Sequence, residues 1–330
     1  MESKGIKDYE ELIKPEPSDI QDSIISFIVG EKKKVKSAIT LNGYINALKH
    51  FFDMNDIEGI KWKKIRRFKG EYVRAANDVP YTTEQIKHLL TFCDVRKKVI
   101  LLLMASSGVR IGAIHTLSIG DFVPVHEGKL YQITVYRGTK QQYVTFCSSE
   151  CKQAIDEYLE KRKRFGEVIT PQSPLIRDVF QQEVADSAKD VIRVSDSQVK
   201  AIVFRLLIEA GLRKLKGDGS RKDVMAAHGF RKFFKSTARR AGVDPLILEL
   251  FMGHLSGGGV VSKLQMIYEG NQHDEKELLE QYTKAHNDLT IHSQHRLEMK
   301  LKEAEQRLAK EDAIMEKIRE MEAKFFAQKQ

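Results

Sequence analysis

The chain has 330 residues, with 55 Lys and Arg against 46 Asp and Glu, a formal net charge of +9 and 42% hydrophobic residues. That length carries more than one small core, and the basic surplus favours a polyanionic partner. The opening MESKGIKDYEELIK lacks the apolar core of a secretory signal, and the longest apolar run, VILLLMA from Val99, is too short to span a bilayer. These features predict a soluble cytoplasmic protein with no membrane partner. Three cysteines make no disulfide framework, and the Cys147–Cys151 spacing without a companion cluster reads as ordinary reduced thiols. His292 and His295 read as surface residues, and no metal is expected.

From the N-terminus to about residue 76 the pattern is helical. IQDSIISFIV and AITLNGYINALKHFFDM space their apolar residues at helical intervals, as at Leu41, Ile45 and Leu48. KWKKIRRFKGEYVR follows, seven of its fourteen residues Lys or Arg, with Trp62, Phe68 and Tyr72 interleaved. Lys61, Lys63, Lys64, Arg66 and Arg67 are therefore candidate ligands of a sugar–phosphate backbone. A solvated linker is the alternative. A boundary is expected near AANDVPY.

Beyond it, Thr82 and Gln85 have capping-box spacing, and Tyr81 and Ile86 form a hydrophobic staple. RKKVILLLMASSG predicts a buried helix closed by Gly108 in a left-handed cap, after which Arg110 opens a new helix. LYQITVY and QQYVTF alternate apolar and polar residues around RGTK, a β-hairpin signal with Lys140 at the tip. CKQAIDEYLEKRKRF and SDSQVKAIVFRLLIEAGL return to helical spacing. AAHGFRKFFKSTARRAG then reads as a helix ending at Gly242. His228 and Arg231, three apart, share one face of it and suggest a pocket for an anion such as phosphate; a solvated basic face is the alternative. Asp244 and Pro245 cap LILELFMGH, which ends at His254, and Gly257 to Gly259 mark a loop. In the last 39 residues Leu297, Leu301, Ala304, Leu308, Met315, Ile318 and Phe325 approximate a heptad seam broken by Glu311 and Glu322. A long, self-associating helix is expected there.

Taken in order, Arg110, the hairpin Lys140, HGFR with His228 and Arg231, MGH with His254, and Tyr268 after the glycine loop resemble the tyrosine recombinase (phage integrase) signature. The resemblance covers roughly residues 80–291, and YEGNQHDEKELLEQYTKAHNDLTI is similar to the corresponding stretch of archaeal mobile-element integrases. It implies a helical core-binding, DNA-binding domain over 1–76 and a catalytic domain over 80–291, with a C-terminal helix over 292–330. The fold would be mainly α with a small β-hairpin sheet, clamped on duplex DNA, nucleoid-associated, and assembled there as a homo-oligomer, a tetramer. The implied reaction is site-specific strand exchange through a 3′-phosphotyrosyl link. It needs no cofactor and serves integration and excision of a mobile element.

The residue types suit that chemistry. A tyrosine ionises near pH 10 and needs activation to attack at neutral pH. Charge builds on the non-bridging phosphate oxygens, where Arg110 and Arg231 present planar donors. By resemblance His228 assists proton removal from Tyr268, Lys140 protonates the leaving 5′ oxygen, and His254 donates to the phosphate. Three departures stand out. Ala113 replaces an acidic residue that often supports the first arginine. The loop from His254 to Tyr268 is long, which leaves Tyr282 as a rival nucleophile. The hairpin offers no second landmark to fix Lys140. A type IB topoisomerase-like activity and a non-catalytic DNA-binding protein on the same fold remain the alternatives.

Overall fold

The computed structural model describes residues 12–34, 37–71, 79–180, 189–213, 226–254 and 275–292, with isolated helical positions at 297, 301 and 315. Tyr268 lies outside the described residues, as do Tyr72, His295 and the C-terminal seam apart from Leu297, Leu301 and Met315, which are exposed. The chain divides into two compact units, residues 1–77 and 78–330. Among the described residues no helix is long and apolar enough to cross a membrane.

In the first unit, α1 (Pro17–Lys34) and α2 (Ala38–Met54) are followed by the short α3 (Trp62–Arg66), which runs into a 3-10 turn, Arg67–Lys69. Ile20, Ile24 and Ile28 recur every fourth residue along α1 and meet Ile45, Phe52, Ile60 and Ile65 in one core. The basic run is folded onto this core. Ile65 is fully buried, Trp62 packs 6.3 Å from the Phe52 ring, and the Gln21 side chain accepts the Lys61 backbone N–H at 3.1 Å. Packing one apolar face leaves Lys61, Lys63, Lys64, Arg66 and Arg67 on the exposed side. Over its described residues, 61–71, this segment is folded onto the core and is not a solvated linker.

The second unit is built around α5 (Val95–Ser107), whose residues from Val99 to Ser107 are all buried. Before it, α4 (Thr83–Leu90) begins with the Thr82–Gln85 capping box. After it come α6 (Ile111–Ile114) and an antiparallel sheet ordered β1 (Phe122–Val125), β2 (Leu130–Val135), β3 (Tyr143–Cys147). The sheet has one strand more than the expected hairpin. β1 pairs Phe122 with Ile133, and its Pro124 hid it from pattern reading. The β2–β3 register, Val135 opposite Tyr143, brings Tyr143 to the base of the turn that carries Lys140.

Helices α7 (Ser149–Arg164), α8 (Asp196–Glu209), α9 (Ala226–Arg240), α10 (Pro245–Phe251) and α11 (Glu275–Leu289) complete the unit. α5 packs against α7, α9 and β3. Below the C-terminal end of α7 lies a buried ionic cluster. Glu167 accepts from Arg162 Nε at 2.8 Å and from Arg177 Nη1 at 3.2 Å, while Arg162 Nη1 also serves the Pro174 and Leu175 carbonyls. This cluster fixes the irregular chain after α7. At the far end, Tyr282 of α11 donates to the Ser106 carbonyl at 2.7 Å, and Glu150 accepts the Ile291 backbone N–H, also at 2.7 Å. His292, read as a surface residue, keeps part of its side chain exposed and bonds Glu150, because the end of α11 is folded back onto the start of α7.

Candidate active site

Helix α9 is strongly two-faced. Phe230, Phe233 and Phe234 are buried, and their packing takes Arg231 down with them to 6% exposure. A buried charge needs partners, and two glycine turns supply them. Gly108 has φ 65°, and a Cβ there would stand 2.4 Å from the Phe234 ring, so a bare backbone is required. Its carbonyl accepts from Arg231 Nη1. The second turn follows α10. The Met252 carbonyl accepts from Arg231 Nη2 at 3.0 Å, and the His254 ring places Nε2 2.7 Å from the same Nη2. Between them Gly253, at φ 60°, lies so close to the Tyr143 ring that a Cβ would fall 2.5 Å from it. The Gly253 carbonyl accepts from Arg110 Nη2 at 3.0 Å.

The turn 252–254 therefore ties both arginines together, from helices far apart in sequence. This is also the answer to Ala113: Arg110 is held by a backbone carbonyl instead of an acidic side chain. A guanidinium has five N–H donors. The bonds described use three on Arg231 and one on Arg110, which leaves planar donor capacity on both for an anion. Burial, and then the like charge of Arg110, lower the Arg231 pKa, yet an arginine stays charged at neutral pH.

Two further residues belong to this cluster. The Tyr143 hydroxyl sits beside Arg231 but has no hydrogen bond of good geometry among the described residues. Burial pushes its pKa up to about 12, against the pull of Arg231 and Arg110. Glu249, one turn before His254, accepts from His254 Nδ1 at 2.5 Å and pairs with Lys235 of α9. Burial raises the Glu249 pKa, but the hydrogen bonds from Lys235 and His254 outweigh it, and the net shift is downward. Sequence reading missed both residues. The five-residue step from Glu249 to His254 across a helix end was the available signal; for Tyr143 there was none without the sheet register.

The remaining candidates are placed as follows. His228 is exposed in the first turn of α9, and Lys140 is exposed in the β2–β3 turn. Arg110, Arg231 and His254 are brought together; Lys140 stays at the hairpin tip. Tyr282, the rival nucleophile, is fully buried against Phe146 and Phe251, and its hydroxyl is engaged by Ser106. Burial first, and then the nearby Cys147 and Cys151, push its pKa well above the ordinary phenol value. Its hydroxyl thus lies in the core and away from the surface in this fold.

The phage integrase family model matches residues 81–263, more than half of the chain. Among solved structures, the Tn1549 transposon integrase in complex with circular intermediate DNA aligns with a TM-score of 0.54 at 16% identity, covering 75% of this chain and 81% of that one. The XerH site-specific recombinase in a post-cleavage complex with its palindromic difH substrate aligns at 0.52 and 14%, covering 83% and 74%. No curated protein matches in sequence.

Proposed function

The chain belongs to the phage integrase family of tyrosine recombinases, and from that premise we propose that it cuts and rejoins duplex DNA at specific sites through Tyr268. The observation that carries the reading is the pairing of Arg110 and Arg231 on one backbone turn, with further donors open to a phosphate. In the reaction, the Tyr268 oxygen forms a bond to phosphorus and the bond from phosphorus to the 5′ oxygen breaks. His228 takes the tyrosine proton and Lys140 supplies one to the departing 5′ oxygen. The two guanidiniums stabilise the charge that grows on the non-bridging oxygens, and His254 completes their cradle. The bond energy is kept in a 3′-phosphotyrosyl link, so religation to a second strand needs no nucleotide cofactor.

The exposed Lys61, Lys63, Lys64, Arg66 and Arg67 supply affinity for the duplex backbone, which positions without specifying sequence. Exchange between two sites requires several copies of the chain on DNA, and integration and excision of a mobile element is the biological use we assign. The test is a nicked suicide duplex carrying the element's own junction sequence. Tyr268→Phe should bind it and form no covalent adduct, whereas the wild-type chain does. An adduct that persists in Tyr268→Phe overturns the assignment. Relaxation of supercoils by a lone protomer, with two sites never joined, would favour a topoisomerase instead.

A further inference from the structure

We propose that Glu249 is a positioning residue for His254, and that its carboxylate makes phosphate capture by this site a proton-coupled step. The inference rests on the reading of Arg110, Arg231 and His254 as a phosphate cradle. The geometry is a chain of four side chains. Lys235 holds one oxygen of Glu249, the other oxygen accepts from His254 Nδ1 at 2.5 Å, and His254 Nε2 stands 2.7 Å from Arg231 Nη2.

Arginine has only donors. With Arg231 aimed at it, Nε2 must be the acceptor, and the single proton of a neutral His254 resides on Nδ1, where Glu249 receives it. In that state His254 has no N–H to offer an anion. A phosphate oxygen arriving at Nε2 is itself an acceptor, so the ring must change. One route moves the proton from Nδ1 to Nε2, which would leave a bare Nδ1 facing a carboxylate oxygen at hydrogen-bond distance, two acceptors pressed together. The other route adds a proton, so that Nδ1–H stays on Glu249 and Nε2–H turns to the phosphate. Glu249 closes the first route and stabilises the second. Arg231 Nη2, released from His254, becomes available to the same phosphate.

Among the described residues, charged and titratable groups lie near the ring on several elements. Arg231 and Lys235 on α9 and Arg110 at the start of α6 oppose protonation, and Tyr143 on β3 adds no charge at neutral pH. Glu249 on α10 is the one carboxylate bonded to the ring among the described residues, and the incoming phosphate is the second anion. Lys235 keeps the carboxylate turned toward the imidazole and ionised.

The experiment uses the full chain with 15N-labelled histidine, His254 being assigned by its absence in His254→Gln. Long-range proton–nitrogen spectra without DNA should show neutral His254 protonated on Nδ1 in the wild type, and a loss of that preference in Glu249→Ala. Single-turnover adduct formation is then followed against pH. Glu249→Gln, which keeps an acceptor for Nδ1–H but not the charge, should move the high-pH limb down by about one unit, the lower end of what a close opposite charge contributes. It should approach the wild-type rate at lower pH, and Glu249→Asp should restore the limb. A merely structural glutamate would lower the melting point and leave the limb in place. Protonation on Nε2 in the wild type, or an unmoved limb in Glu249→Gln, overturns the proposal. A wild-type chain that forms no adduct at any pH overturns the recombinase reading instead, and the spectra alone then decide the role of Glu249.

Discussion

Arg231→Lys keeps a positive charge on α9 and removes the fork. That fork now reaches the Gly108 carbonyl, the Met252 carbonyl at 3.0 Å and His254 Nε2 at 2.7 Å. A lysine ends in one nitrogen, and the two carbonyls sit on separate turns, one before α6 and one after α10, so an ammonium can serve one turn well and not both. A buried carbonyl left without its donor costs about 1–3 kcal/mol. Adding the weakened bond to His254, the unfolding free energy should fall by about 2–4 kcal/mol, within the roughly 5–15 kcal/mol that domains possess. The variant therefore folds, and a urea melt measures the loss. Cleavage should fall much further, at least about 100-fold, because one oriented donor to the transition state is gone. Single-turnover adduct formation on the nicked duplex, compared at equal folded protein, separates the two effects. Cleavage within about threefold of wild type, alongside the full loss of stability, would make Arg231 a brace and refute its part in the cradle.

Changing Lys61, Lys63, Lys64, Arg66 and Arg67 to Gln should weaken DNA binding and flatten its salt dependence by about one slope unit for each phosphate no longer neutralised; an unchanged slope in a filter-binding titration would remove them from the interface. Glu167→Gln leaves the buried Arg162 without a counter-ion, while Arg177 keeps Asp178, and should cost about 3–5 kcal/mol, seen as a lowered urea midpoint; an unaltered midpoint would mean water reaches the cluster. Glu249 has a folded pKa below its ordinary 4.5, so its stabilising effect is present above that value and is lost as pH falls through the folded pKa. As pH falls through the ordinary 4.5 and on through the lower folded pKa, stability should accordingly decline less in Glu249→Gln than in the wild type, and parallel curves would contradict the shift.

Local signals were legible where a few adjacent residues decide the outcome. The Thr82–Gln85 box, the buried pair Tyr81 and Ile86, the left-handed Gly108 and the Asp244–Pro245 start of α10 all stand as expected. Each depends on backbone groups within one turn. The order of Arg110, HGFR and MGH pointed to the site, but two of the bonds that build it, Arg231 to Gly108 and Arg110 to Gly253, join residues more than a hundred positions apart. No periodicity encodes such pairs. The same holds for Arg162, Glu167 and Arg177, whose burial nothing in the local pattern signals. β1 escaped because a proline is poor strand material except at an edge, and β1 is an edge strand.

The hydrogen bond from Tyr282 to Ser106 spans 176 residues, and the one from Arg110 to Gly253 spans 143. A ribosome adding about 5–20 residues per second needs roughly 9–35 s to go from Ser106 to Tyr282. During that interval α5 is made but the partner of its Ser106 carbonyl is not, and Arg110 has no turn to hold it. A cradle assembled from such distant segments cannot form on a chain that has not yet reached Gly253. Fragments released early from translation would carry the basic N-terminal unit without the cradle of Arg110 and Arg231.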